Sequence, residues 1–253
     1  MQALDRVARL LRFSPAKRLN TKDAYALWAD TYPPAPHNPL MEVEQSVVAP
    51  VIAAATPIRA LDVGTGTGRY LPLLASAGAR LVVGLDLSMP MLGHQDGDRP
   101  RVCADACRLP FPDGCFDFVC SSLMVGDVAD LGGWMHEMAR VLTPGGHVVY
   151  SDFHPSWSSE QWRRTFRGVD GKRYELSYFP HTIDEHLARL QDSALIVRTI
   201  REPRLAGRKA PVVVVFHATK RTDAARRKRS SGQWDDPELC DPTSAGPRPD
   251  KSR

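Results

Sequence analysis

The stretch Leu61-Asp62-Val63-Gly64-Thr65-Gly66-Thr67-Gly68-Arg69-Tyr70 constrains this chain more than any other. The apolar run 60–63 reads as a buried strand, three glycines follow at alternate positions, and a helical pattern begins near Arg69. Glycine lets the backbone turn tightly and come within contact distance of a ligand. The helix behind such a turn aims its free N–H groups at whatever sits there. Asp62 stands directly before the turn. A carboxylate there repels a pyrophosphate but pairs with an ammonium group, so the loop points away from a dinucleotide and towards a nucleotide that carries an amino acid. A dinucleotide loop would also read Gly-x-Gly-x-x-Gly, and here the third glycine comes one residue too early.

The rest of the chain repeats the strand–helix unit. Residues 81–86 form a second apolar strand ending in Asp86. That carboxylate lies about 20 residues beyond the glycines, where it can accept hydrogen bonds from ribose hydroxyls. Ser88 is a suitable N-cap for a helix starting at Met89. Residues 101–104 are a short third strand before Asp105, 109–114 a turn, 116–123 a fourth strand and 147–153 a fifth. Between the last two, Trp134, Met135, Met138, Val141 and Leu142 share one helical face, which Thr143-Pro144-Gly145-Gly146 terminates. Residues 195–200 and 212–216 pair as an antiparallel hairpin around a polar turn containing Gly207. Alternating strands and helices predict an α/β, Rossmann-like, doubly wound, mostly parallel seven-stranded sheet with an antiparallel last strand. Ligands of such sheets lie at the C-terminal strand ends, where Asp62, Asp86 and Asp105 all fall.

The flanks suggest three parts: an N-terminal helical lid (1–58), a nucleotide-binding domain (59–220) with a substrate-side insert (154–180), and a disordered tail (221–253). Leu4, Val7, Ala8 and Leu11 share one helical face, with Arg6, Arg9 and Arg12 outside, which suits a lid helix or a membrane-surface helix. Tyr25, Trp28 and Tyr32 precede Pro33-Pro34, which end their helix; these aromatics either plug the core or roof a ligand. Residues 38–55 read as helical, broken by Pro50. The insert holds Trp157, Trp162, Phe166, Tyr174, Tyr178 and Phe179, and an aromatic excursion after a sheet strand is where a substrate lid sits. Thr182 and Glu185 form a capping box ahead of the helix bearing Ile183, Leu187, Leu190 and Ala194. The tail has no periodicity and carries the basic run Arg226-Arg227-Lys228-Arg229.

Much of the net charge of +4 sits in that tail, so the balance does not demand nucleic acid. No apolar run reaches the roughly 20 residues of a membrane span. The five cysteines (Cys103, Cys107, Cys115, Cys120, Cys240) have no metal-ligand spacing. With no signal peptide in view, they predict reduced thiols in a cytoplasmic protein.

Taken together these residues resemble the class I S-adenosylmethionine-dependent methyltransferases, in particular the group that includes quinone- and biotin-pathway enzymes. Five elements carry the resemblance in order: Asp62-Val63-Gly64-Thr65-Gly66-Thr67-Gly68; Gly84-Leu85-Asp86-Leu87-Ser88; Ala104-Asp105-Ala106 with Leu109-Pro110-Phe111 and Phe116-Asp117; Arg140-Val141-Leu142-Thr143-Pro144-Gly145-Gly146; and Tyr25…Trp28-Ala29…Tyr32. It spans residues 20–220. The resemblance implies that Gly64, Thr65, Gly66 and Gly68 lie against the methionine part of S-adenosyl-L-methionine and that Asp62 serves its ammonium. Asp86, with Leu87 beside it, would hold the ribose, Asp105 and the Ala106 N–H the adenine, and Ser121 or Ser122 the methionine or the substrate. Relatives often have histidine where Asp127 stands, which leaves Asp127 outside the cofactor set. Asp117 reads as structural.

If the acceptor is a hydroxyl or an acidic carbon, a general base would assist, and His154 is the first candidate, ahead of Asp152 and His181. After the fourth strand, Ser121-Ser122-Leu123-Met124 stands in place of the Asn/Asp-Pro-Pro-aromatic quartet used on nucleobases and glutamine. With the aromatic insert, this points to a small-molecule acceptor, aromatic or lipid-like, for O- or C-methylation. Two alternatives remain: a non-catalytic S-adenosylmethionine-binding module, and an RNA or protein methyltransferase using the basic tail. Oligomeric state is not legible.

Overall fold

The computed structural model describes residues 16–222, apart from 96 and 160–162. The stretch 1–13, Trp162 and the basic run 226–229 lie outside the described residues. Strand β1 (Lys17–Leu19), helix α1 (Thr21–Trp28), a 3-10 turn (Ala29–Thr31) and helix α2 (Pro39–Ala55) precede the glycine unit. There follow β2 (Arg59–Val63), α3 (Leu71–Ser76), β3 (Leu81–Asp86), α4 (Met89–Gly93), β4 (Arg101–Cys103) and β5 (Phe116–Ser121). After a 3-10 turn (Val125–Asp127) come α5 (Leu131–Val141), β6 (Leu142–Phe153), α6 (Ser156–Ser159), β7 (Thr165–Arg167), β8 (Arg173–Leu176), α7 (Ile183–Asp192), β9 (Leu195–Arg201) and β10 (Val213–Lys220).

Seven strands form one sheet in the order β4-β3-β2-β5-β6-β10-β9, all parallel to their neighbours except β10, which is antiparallel to both β6 and β9. From β2 the chain winds outwards through β3 to β4, then returns to β5 on the other side of β2. The loops leaving β2 and β5 therefore diverge and open a crevice at the strand ends. Alternation places Leu61 and Val119 on the face covered by α5 and α7, where Trp134, Met135, Met138 and Leu190 pack. Ala60 and Phe118 face the other way, against Met41, Val48 and Ile52 of α2. Asp117 is structural, as its sequence position suggests: its carboxylate accepts from the backbone N–H groups of Ile58 and Arg59 at 3.0–3.1 Å and pins the start of β2 to β5.

Three sequence expectations change. Helix α2 is not broken at Pro50 but runs through it. Pro50 sits on the exposed side while Met41, Val48 and Ile52 are buried, and burial of that face outweighs the cost of about 3 kcal/mol for an internal proline. The N-terminal residues do not form one lid, because α2 belongs to the core of the main sheet. Only the part before it reaches over the strand ends, and it does so jointly with the insert: β1 pairs in parallel with β8, which pairs antiparallel with β7. This three-stranded cap closes on α1 through Ala24, Phe166, Tyr174 and Leu176, with Trp28 stacked on Phe166 at 4.7 Å and 10°. Finally, Cys115 is disulfide-bonded, against the expectation of reduced thiols, while Cys103, Cys107 and Cys120 are free. Among the described residues no helix is long and apolar enough to cross a membrane.

Candidate active site

The ends of β2, β3 and β5 and the loop after β4 surround a cavity of about 410 Å³, roofed by Tyr25 and Tyr32, which is a size typical of small-molecule sites. Asp62, Gly64, Thr65, Gly66, Asp86, Leu87, Asp105 and Ala106 all line it. The glycine loop is held from below. Gly64 and Thr65 both donate to the Leu85 carbonyl, at 2.8 and 2.9 Å, and the Gly66 N–H donates to Asp86 Oδ2 at 2.8 Å. Two of its glycines do different work. Gly64 (φ +71°) lies so close to Met124 that a Cβ would stand 2.4 Å from that side chain's Cγ, whereas a Cβ on Gly66 (φ +56°) would meet nothing within 4 Å. Gly66 is the point at which the backbone lies open to a ligand.

The carboxylates are set for different partners. Asp86 uses one oxygen on the Gly66 N–H and the other on the Ser88 N–H, at 2.8 Å each. A carboxylate offers about four acceptor positions, so two remain for a pair of hydroxyls. Burial raises its pKa and these backbone donors pull it back. Asp62 is 2% exposed. Burial pushes its pKa up to about 7, against the opposing pull of the Thr65 hydroxyl and the Arg69 charge. A ligand ammonium would supply the counter-charge. Asp105 accepts from the Cys107 N–H at 2.8 Å, an aspartate turn that fixes the Ala106 backbone at the cavity edge.

Three predicted residues are not at the cavity. Gly68 packs against Leu71 and Gln95 beneath the loop. Ser121 is buried within β5 and spends its hydroxyl on the Val63 carbonyl at 2.9 Å; strand alternation turns it inwards and brings Ser122 to the cavity instead. His154 is corrected as the candidate base. Its N–H extends the ladder to the Val212 carbonyl, which carries the side chain towards β10. There Nδ1 accepts from the Ser156 N–H at 3.1 Å and Nε2 donates to Glu202 at 2.8 Å. The second choices also stand aside. His181 bonds the Val128 carbonyl at 2.8 Å, and Asp152, buried and raised to about 7 by desolvation, accepts from the Phe153 N–H.

Two buried clusters escaped the sequence reading. Glu44 of α2, wholly buried, accepts from Arg69 at 3.0 Å, Tyr70 at 2.7 Å, Ser122 at 2.8 Å and Ser151 at 2.7 Å, and so ties α2 to the glycine loop and to β5 and β6. A signal existed, since Glu44 falls in the helical stripe Met41, Val48, Ile52, where a charge needs partners. The second cluster is Asp127, whose two oxygens each accept from Arg164 at 2.8 Å and one of which also accepts from Tyr25 at 2.9 Å, while Arg164 bonds the Tyr25 oxygen. Arg164 comes from the insert and Tyr25 from α1, so this buried pair latches both halves of the cap to the loop after β5.

Comparison with known proteins agrees with this geometry. Residues 61–150 match the family model described as a methyltransferase domain. A demethylmenaquinone methyltransferase of Mycolicibacterium gilvum is 43% identical over 96 residues, 38% of this chain and 42% of the relative. The biotin biosynthesis bifunctional protein BioHC of Cellvibrio japonicus is 39% identical over 116 residues, 44% of this chain and 23% of the relative. The matches thus span less than half the length of these relatives. The crystal structure of an S-adenosylmethionine-dependent methyltransferase from Mesorhizobium loti superposes with a TM-score of 0.55 at 23% identity, over 68% of this chain and 96% of that one, which is a likeness of fold. Residues 61–150 thus match a methyltransferase domain, and the fold is like that of an S-adenosylmethionine-dependent methyltransferase. The cavity fits S-adenosyl-L-methionine: an open backbone at Gly66, a buried carboxylate at Asp62 with no ion pair among the described residues, and spare acceptor positions on Asp86.

Proposed function

We propose that this chain transfers a methyl group from S-adenosyl-L-methionine to a small-molecule acceptor, aromatic or lipid-like, at oxygen or carbon. The observation that carries the reading is that Asp62 and Asp86 both line the cavity near the C-terminal ends of adjacent parallel strands, beside the open Gly66 backbone. Asp86 would accept from the ribose hydroxyls, Asp62 would face the ammonium, and Asp105 and Ala106 would address the adenine. The bound cofactor supplies an activated methyl. The chain has to align it with the acceptor and exclude water, and alignment alone can lower a barrier by about 7–11 kcal/mol. Tyr25 and Tyr32 form the water-excluding roof, held down by the Asp127–Arg164 latch.

The acceptor side supports the substrate class. Leu123, Met124 and Val128 give the cavity an apolar wall, and the aromatic cap above it matches a planar or lipid-like molecule. One relative is named for demethylmenaquinone and another for biotin biosynthesis. No histidine lines the cavity among the described residues, and Asp127 is engaged by Arg164 and Tyr25. That arrangement suits an acceptor that ionises readily by itself, such as a phenol. The test is calorimetric titration with S-adenosylhomocysteine, with NAD as control, on wild type and Asp86→Ala, followed by mass-spectrometric screening of phenols and quinols. Micromolar binding of the first ligand only, lost in the variant, and methylation of a small acceptor are expected. Methylation confined to RNA or protein, or binding with no transfer to any acceptor, would overturn the reading.

A further inference from the structure

The cap carries a charge pattern that methyl transfer does not use. Its register puts Phe166 and Tyr174 in one row, and both are buried against α1. Side chains alternate across a strand, so the rows Arg18–Glu175–Thr165 and Arg173–Arg167 face the opposite way, outwards from the roof. Five exposed cations stand on or beside this face: Arg18, Arg163, Arg167, Lys172 and Arg173, whereas Lys17 shares the row of Tyr174. The two acids among them, Asp170 and Glu175, are engaged by Lys172 at 3.1 Å and Arg163 at 3.2 Å. Arg18 and Arg173 have no acidic partner among the described residues. Five cations against two acids leave a local excess of +3, beside a net charge of +4 for the whole chain. At the tip of the β7–β8 hairpin, between Arg167 and Lys172, stands Val169, 68% exposed.

We propose that this outer face of the cap docks on an anionic lipid surface, with Val169 entering the headgroup region and the arginine rows resting on the lipid phosphates. An apolar tip within a basic collar is the pattern of reversible interfacial binding. Single-stranded nucleic acid would instead call for aromatic rings on the basic face, and here Phe166 and Tyr174 point the other way, into the cap. The proposal deepens the proposed function, and rests on it in one respect: a lipid-like acceptor would reach the cavity from the bilayer on which the roof sits.

The test is co-sedimentation of the full chain with vesicles of phosphatidylcholine alone and of phosphatidylcholine with phosphatidylglycerol, at low and high salt. Binding only to the anionic vesicles, weakened by salt, is expected, and Arg167→Glu/Arg173→Glu should lower the partition coefficient at least about tenfold. Val169→Asp should weaken it independently. Absence of binding, binding without dependence on phosphatidylglycerol, or full binding by the double variant would overturn the proposal, the last because another basic segment would then be responsible. So would a response to these substitutions seen only with a single-stranded oligonucleotide. Titration of each variant with S-adenosylhomocysteine separates the two readings. Retained ligand binding shows an intact fold, and if wild type holds the ligand but ignores the vesicles, the docking proposal fails alone. Vesicle binding by a chain that does not hold the ligand would sink the methyl-transfer reading and spare this one.

Discussion

The raised carboxyl of Asp62 makes ligand affinity depend on pH in a calculable way. Buried in the cavity wall, it has a pKa of about 7. An ammonium placed against it favours the ionised form, so the complex holds Asp62 charged at a pH where the free protein holds it partly protonated. Below that pKa the ligand must first displace a proton. Between about pH 7.5 and pH 6, affinity should therefore fall about eightfold, ~1.3 kcal/mol, while the ammonium of the ligand stays charged throughout. The assay is calorimetry with S-adenosylhomocysteine across this range, in buffers of different ionisation enthalpy so that released protons are counted. The control ligand is 5′-methylthioadenosine, which keeps the ribose and adenine but lacks the amino acid. Asp86 also has a raised pKa, and any slope it contributes appears with both ligands, so their difference isolates Asp62. Asp62→Asn should bind weakly and without the extra slope. Equal slopes for the two ligands, or an unchanged slope in Asp62→Asn, would refute the assignment of Asp62 to the ammonium.

The two loop glycines should fail differently. Gly64→Ala brings a Cβ to 2.4 Å from Met124 in a left-handed backbone and should unfold at clearly lower temperature. Gly66→Ala meets no atom, should cost only about 1–2 kcal/mol of backbone strain, and should lose ligand affinity out of proportion to that, as calorimetry would show. Arg164→Leu leaves Asp127 buried without its cation and should cost about 3–5 kcal/mol in urea unfolding; Asp127→Leu/Arg164→Met should recover part of this, and a double variant worse than both singles would contradict the latch. Burial lowers His186 and His217 to about 4. The unfolded chain then binds more protons than the folded one between about pH 6.5 and pH 4, so stability, complete above the upper value, falls as pH drops through this window. Melting temperatures at several pH values check this, and His186→Phe should flatten the slope.

What was legible follows from how local the information is. The glycine loop, Asp86 and Asp105 lie at the ends of strands whose apolar runs are plain in the sequence, and the parallel sheet fixes their convergence without any knowledge of side-chain partners. Seven strands with the last one antiparallel, and the Asp117 anchor, follow from the same alternation. Errors began where orientation within a strand decides the outcome. Ser121 and Ser122 are chemically identical neighbours, and only the register of β5 against β2 says which one looks into the cavity. His154 follows β6, but its direction is set by a backbone bond to Val212, the residue before β10, which comes much later in the chain.

The cap extends that reasoning to its limit. Its closure depends on Tyr25 and Asp127, 102 positions apart, and on Arg164 reaching back to Tyr25 across 139. No periodicity encodes such pairs. The resemblance leaves Asp127 outside the cofactor set, since relatives often have histidine there, yet a carboxylate at that position is what a buried arginine from the insert requires, and the insert supplies one. The departure at Asp127 and the arginine at 164 are thus one feature read at two positions. The cavity wall at Asp62, Gly66 and Asp86 is built from contacts within successive strand–turn–helix units, while its roof, Tyr25 and Tyr32, belongs to α1 and the turn after it, against which the three-stranded sheet packs. Exchange of the cap strands and their latch would then leave Asp62, Gly66 and Asp86 untouched, because among the described residues no hydrogen bond links the Asp127–Arg164 pair to those three.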